Sequence, residues 1–240
     1  MIKLTGFDEG RALWPELNSI TSRLAAKDST LWGAAAQKEA AIRLNWIDLP
    51  STSRDLLPTL DALSAWSREF GHTRFVLCGM GGSSLAPEVI AAVYKRELIV
   101  LDSTDPEHVN AVLNNDLTKT CFVIGSKSGS TIETASQKSA AEKELLKQGL
   151  DPKNHLVVVT DPGSPLDKEV RSSGYSVINA DPNVGGRFSV LSAFGLVPSA
   201  LIGAPIKEIL DEASAEKKAF LQEDQVILDR NWPLYTDSNI

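Results

Sequence analysis

The residues best suited to chemistry fall in three short loops. The most telling is Ser126-Lys127-Ser128-Gly129-Ser130-Thr131, which follows the apolar run Cys121–Ile124 and Gly125. Its hydroxyl groups come from Ser126, Ser128, Ser130 and Thr131. Ser130-Thr131-Ile132-Glu133 has the S-x-x-E form of a capping box, so a helix is expected to start there, with Glu133 as the capping acid. A strand, a Gly/Ser loop and a helix N-terminus together make an anion site. Backbone N–H groups, the positive end of the helix dipole and hydroxyl donors converge on one point. A phosphate monoester suits such a donor set, because its three oxygens seek several hydrogen bonds and need no large positive charge. Lys127 adds charge in this reading. The plainer reading is an ordinary strand-to-helix turn in which Lys127 is a solvated loop lysine.

The second loop is Gly79-Met80-Gly81-Gly82-Ser83-Ser84, after the apolar run Arg74–Cys78. Its glycines let the backbone approach a ligand closely. Gly79 and Gly81 match the start of the dinucleotide fingerprint G-x-G-x-x-G, and Asp102 stands where a ribose-binding acid would. The third glycine position holds Ser84, and a dinucleotide domain needs no hydroxyl-rich loop on its third strand, so this reading is disfavoured. Asp102 reads equally as a cap or turn residue in Asp102-Ser103-Thr104-Asp105-Pro106. The third loop, Gly185-Gly186-Arg187, brings a guanidinium close to the strand ends. Arg187 there could stabilise a developing oxyanion. Its structural alternative is an ion pair with Asp181 or another carboxylate.

These loops need elements to position them. From Thr73 the pattern alternates strands with helices. Apolar runs at 74–78, 98–101, 121–124, 156–160 and 175–178 are separated by helical stretches at 83–94, 106–113, 131–148 and 164–171. Near-continuous apolar strands joined by helices predict an α/β fold, a doubly wound five-stranded parallel sheet preceded by a helical N-terminal segment. Ligands in such sheets bind beyond the carboxyl ends of the strands. The expected organisation is a helical segment at 1–72 packing on the sheet domain, a phosphosugar-binding domain at 73–222 and a weakly patterned tail at 223–240. Within the N-terminal segment, helices are expected over 8–27, with a stripe of Leu13, Leu17, Ile20 and Leu24, over 37–44, and over 56–70 closed by Gly71. Residues 45–53 read as irregular. Pro198 is expected to kink or split the apolar stretch 190–202.

Composition narrows the function classes. A formal net charge of -7 argues against non-specific nucleic-acid binding and offers no basic face to a membrane. No apolar run approaches the roughly 18–20 residues that span a bilayer, and Met1–Trp14 lacks a signal-peptide pattern. Cys78 and Cys121 fall in predicted strands, which suits buried reduced thiols and a cytoplasmic location. His72, His108 and His155 have no metal-ligand spacing, so no metal site is expected.

The three loops also resemble a family. Gly79–Glu88 (GMGGSSLAPE), Ser126–Thr134 (SKSGSTIET) and Val184–Ser189 (VGGRFS) are similar to three motifs of glucose-6-phosphate isomerase, in the same order. The second is also similar to the wider sugar-isomerase (SIS) domain. The resemblance covers about residues 40–222, and Arg43–Leu49 (RLNWIDL) resembles the bacterial or transaldolase-fused branch. It implies a SIS domain that interconverts glucose 6-phosphate and fructose 6-phosphate through a cis-enediol(ate), without metal or organic cofactor. By motif position Ser126, Ser128 and Thr131, with Lys127 and Ser130 beside them, hold the phosphate. Gly82, Ser83 and Ser84 line the sugar site, and Arg187, carried by Gly186, stabilises the enediolate. Many members carry Thr-Phe-Thr where this sequence has Ser128-Gly129-Ser130, which keeps hydroxyls and loses an aromatic. The family's proton-transferring glutamate and its ring-opening histidine and lysine belong to a later part, and no matching motif occurs before Ile240. The resemblance therefore implies the first half of an isomerase, inactive alone for want of a general base. A non-catalytic sugar-phosphate-binding SIS module is the alternative. The expected partner is a hexose phosphate, and the family's habit brings a homodimer into consideration.

Overall fold

The computed structural model describes residues 20–222. The predicted stripe at Leu13 and Leu17, the helical stretch 8–19 and the tail 223–240 lie outside the described residues.

Five strands form one sheet: β1 (Arg74–Gly79), β2 (Ile99–Leu101), β3 (Thr120–Gly125), β4 (Leu156–Thr160) and β5 (Ser176–Asn179). The order is β2-β1-β3-β4-β5, and every pairing is parallel. The parallel, doubly wound sheet expected from the apolar runs is therefore present. Chain direction across the sheet reverses between β1 and β3, which makes their carboxyl ends the switch point where such folds bind ligands. The last register pair of β1 and β3 is Gly79 with Gly125. Two strand ends without side chains thus lie side by side at that point.

The helices are α1 (Ile20–Ala25), α2 (Ala34–Arg43), α3 (Leu49–Thr52), α4 (Leu57–Glu69), α5 (Leu85–Val93), α6 (Pro106–Leu113), α7 (Ile132–Lys147), α8 (Pro165–Ser172), α9 (Ala193–Leu201) and α10 (Ile206–Gln222). Strand side chains alternate between two cores. Cys121, Val123, Val157 and Val159 face one core with Leu60, Leu63, Ile90, Leu196 and Leu210. Phe122, Ile124, Leu156 and Val158 face the other with Val112, Ala141, Leu145 and Val170. Helices α4, α5, α9 and α10 therefore cover one face, and α6, α7 and α8 the other. Burial on both faces is why the strands read as unbroken apolar runs.

Gly71 (φ 71°) and Gly149 (φ 75°) follow α4 and α7 in the left-handed region, as expected of helix-closing glycines. Two expectations need correcting. Residues 45–53 are not irregular but belong to consecutive helical turns, with 3-10 turns at Asn45–Asp48 and Ser53–Leu56 flanking α3. Pro198 does not split the helical stretch; it sits inside α9, all of whose residues are buried. Only one backbone hydrogen bond is forfeited there, and packing on every side holds the helix together.

Candidate functional site

The hydroxyl-rich loop runs from the end of β3 to α7 at the switch point. Ser126 is buried, and its Oγ accepts the Gly129 N–H at 3.2 Å and donates weakly to Thr131 Oγ1 at 3.4 Å. Ser128 and Ser130 are exposed, with their hydroxyls 2.7 Å apart. The predicted capping box does not form. Thr131, one residue later than expected, is the N-cap of α7, and its side chain makes no cap hydrogen bond. Glu133 then lies a position too early to reach back as a capping acid. The positive end of this helix is left without a side-chain cap, which suits an external anion. Gly129 (φ 71°) is required twice over, because a Cβ there would also lie 2.5 Å from the Cβ of Leu166.

Lys127 belongs to the loop by sequence, but its ammonium is engaged elsewhere. It pairs with Asp161 Oδ2 at 2.8 Å and donates to the Pro182 carbonyl at 3.1 Å. What the loop offers at this position is its backbone.

The glycine loop after β1 turns through a 3-10 segment, Gly81–Ser83, before α5. The Cβ of Ser83 lies over the paired strand ends, 3.5 Å from where a Cβ on Gly125 would stand. Ser84 is different. It is 1% exposed, and its hydroxyl donates to the Gly81 carbonyl at 3.1 Å, so its side chain serves the turn. Asp102 is exposed, and the capping role in its segment goes to Asp105, which accepts the His108 N–H at 2.9 Å.

Arg187 comes to the same end of the sheet through contacts distant in sequence. Gly82 and Gly186 meet backbone to backbone: a Cβ on Gly82 would lie 2.3 Å from the Gly186 oxygen. Ser189 clamps this contact, its buried hydroxyl 3.1 Å from the Gly82 carbonyl and 2.6 Å from that of Gly186. The N-terminal segment secures the other side. Leu44 bridges Val184, Asn45 donates to Asp181 Oδ2 at 2.8 Å, Arg43 donates to the Pro182 carbonyl at 2.8 Å, and Trp46 stacks on Phe188 at 5.2 Å. The ion pair of Arg187 with Asp181 that the sequence allowed is absent, because Asp181 is taken by Asn45 and by the Asn183 N–H. Arg187 is exposed and has no ion pair or hydrogen bond among the described residues. The positioning residues Ser189, Asn45 and Trp46 escaped sequence reasoning, although each lies within a motif the sequence singles out.

His72 and His155 precede β1 and β4, at the opposite end of the sheet, with their rings 5.1 Å apart. A cleft of about 600 Å³ is lined mainly by apolar side chains, among them Leu24, Trp46, Ile47, Leu191 and Phe220. Arg187 stands at its edge, but no residue of the hydroxyl loop lines it. Among the described residues no His/Cys/Asp/Glu cluster could hold a metal ion, and no helix is long and apolar enough to cross a membrane.

Comparison with known proteins identifies the family. A family model described as phosphoglucose isomerase matches residues 61–236. A glucose-6-phosphate isomerase of Thermus thermophilus is 34% identical over 216 residues, covering 86% of this chain and 49% of the relative. One of Cyanothece is 33% identical over 185 residues, covering 69% of this chain and 35% of the relative. Among solved structures, a Thermus thermophilus protein titled hypothetical superposes with a TM-score of 0.72 at 31% identity, over 95% of this chain and 56% of that one. A Chlamydia trachomatis glucose-6-phosphate isomerase shares the fold, with a TM-score of 0.64 at 24% identity, over 91% of this chain and 46% of that one. This chain thus spans roughly a third to a half of the length of these curated relatives.

Proposed function

The chain belongs to the phosphoglucose isomerase family, and on that premise we propose that it is the phosphosugar-binding half of an aldose–ketose isomerase acting on glucose 6-phosphate and fructose 6-phosphate. The phosphate is held by the hydroxyls of Ser126, Ser128, Ser130 and Thr131, the backbone of Lys127 and the uncapped start of α7. Gly82 and Ser83 bound the sugar, and Arg187 faces the oxyanion of the cis-enediolate.

Isomerisation moves a proton between neighbouring carbons of the open-chain sugar. The intermediate carries negative charge on oxygen, and a preorganised guanidinium lowers its energy most when it need not first break another contact. The observation that carries the reading is therefore Arg187 itself. It is a cation with no protein partner among the described residues, and the Gly82–Gly186 clamp ties its backbone to the glycine loop after β1. A mere sugar-phosphate sensor has no use for such a group. Proton transfer also requires a base within hydrogen-bond reach of the substrate. His72 and His155 lie at the wrong end of the sheet for that work. We propose that this chain alone binds hexose phosphate and turns over little.

Calorimetry with glucose 6-phosphate and with free glucose tests binding. The ester is expected to bind and the free sugar not to. A coupled isomerase assay on the chain alone is expected to show negligible turnover; rates like those of a full-length family enzyme would refute the missing-base reading. In a full-length family enzyme, Arg187→Ala at the matching arginine should abolish turnover and leave ester binding within about threefold, as expected for a contact made only in the transition state. Loss of binding with no separate effect on turnover would favour the sensor.

A further inference from the structure

The Lys127–Asp161 pair joins more of the site than either residue's position suggests. Lys127 Nζ reaches Asp161 Oδ2 at 2.8 Å and the Pro182 carbonyl at 3.1 Å. Its own carbonyl accepts the Asp161 N–H at 3.2 Å and the Thr160 hydroxyl at 3.4 Å. The Pro182 carbonyl also accepts from Arg43. The loops after β3, β4 and β5 and the N-terminal segment thus converge on one ion pair, whose side chains are only 26% and 18% exposed. The second carboxylate oxygen, Asp161 Oδ1, is buried and has no hydrogen-bond partner among the described residues. A carboxylate so placed depends on its single cation, and swinging that cation away would leave a poorly compensated charge.

We propose that Asp161 is a positioning residue. By fixing Lys127 against the Pro182 carbonyl it sets the spacing between the phosphate loop and the loop that carries Arg187. Pro182 lies five residues before Arg187, and the intervening chain is pinned at Val184 by Leu44 and at Asn183 by Asn45. A shift at Pro182 therefore passes to Arg187 with little slack. The proposal rests on the function proposed above, and it separates the Lys127 ammonium, which works between loops, from the Lys127 backbone, which stays with the phosphate.

The test is calorimetry on the full chain with two probes. Inorganic phosphate reads the phosphate loop. A five-carbon sugar-acid 5-phosphate, whose carboxylate stands in for the enediolate, reads that loop and Arg187 together. Asp161→Asn keeps the side-chain shape and removes its charge; Asp161→Ser repeats the test if the first variant does not fold, with phosphate binding as the sign of an intact loop. The ratio of sugar-acid to phosphate affinity should fall about tenfold, as for a charged group displaced by a fraction of an ångström. In an Arg187→Ala background the same substitution should change that ratio by less than about twofold, because both act through one group. Equal changes in both affinities, or a tenfold loss that persists without Arg187, would overturn the proposal. If the unsubstituted chain binds neither probe, the proposed function falls and takes this role with it. If it binds both and the ratio stays fixed on substitution, only the positioning role falls.

Discussion

Replacing Gly82 by alanine should damage this protein more than replacing Gly186, although the two glycines touch. A Cβ on Gly82 would stand 2.3 Å from the Gly186 oxygen, 2.6 Å from its carbonyl carbon and 3.3 Å from the Arg187 nitrogen. Non-bonded contacts with carbon settle near 3.5 Å, so the methyl group arrives about 1.2 Å too close. The obstacles are backbone atoms, and no rotamer change relieves them. Ser189 resists separation by bridging both carbonyls. Overpacking of this kind costs about 1–3 kcal/mol. The opened clamp also carries Arg187 outward by about 1 Å, enough to weaken what depends on it by up to about 100-fold. Gly186 is the internal control. A Cβ there meets nothing within 4 Å, and its φ lies outside the left-handed region. Gly186→Ala should therefore stay within about 0.5 kcal/mol of the parent. Urea unfolding followed by tryptophan fluorescence reads the stability arm, and calorimetry with the sugar-acid phosphate reads the Arg187 arm. Parent-like behaviour of Gly82→Ala in both arms would refute the close-contact argument. Equal damage from Gly186→Ala would show that the glycines are needed for some reason other than the contact.

The remaining predictions concern the far end of the sheet and its interior. His72 is buried beside His155, and burial first, then that neighbour, push its pKa down from 6.5 to about 4. The unfolded chain therefore takes up a proton that the folded chain refuses. Stability tied to His72 is intact above pH 6.5 and declines as pH falls toward 4. His72→Phe should flatten the pH dependence of the urea midpoint over that range, and an unchanged slope would count against the assignment. Cys78 and Cys121 are fully buried, with burial pushing the Cys78 thiol up to about 12 and the Cys121 thiol higher still. A thiol reagent should find neither group at neutral pH in the folded protein and both after unfolding. Rapid labelling of the native chain would contradict the core described above.

Much of this molecule was legible because it depends on short-range chemistry. Cys121–Ile124 and Leu156–Thr160 read as strands because each is buried on both faces, and Gly71 and Gly149 mark helix ends because they adopt positive φ where other residues are strained. The loops at 79–84, 126–131 and 185–187 were visible from glycine and hydroxyl content alone. Pro198 does not split its helix, because burial of the whole of α9 overrides a local helix-breaking preference. The capping-box pattern puts the N-cap of α7 one residue early, since Ser130 and Thr131 are both acceptable caps and only the path of the loop decides between them.

Local sequence, then, was enough to specify the sheet, its covering helices and the three loops at its carboxyl edge, because backbone preference and burial pattern act over a few residues. It could not say which loop touches which. Gly82 meets the Gly186 loop and, 107 residues away in sequence, Ser189; Asn45 takes the carboxylate that would otherwise have claimed Arg187; and Lys127 is a strut to Asp161 and Pro182. Each of these is a competition among charged or polar groups for a limited number of partners. Such competitions are decided by which groups the folded chain brings within about 3 Å of one another, and that proximity exists only after the sheet has closed.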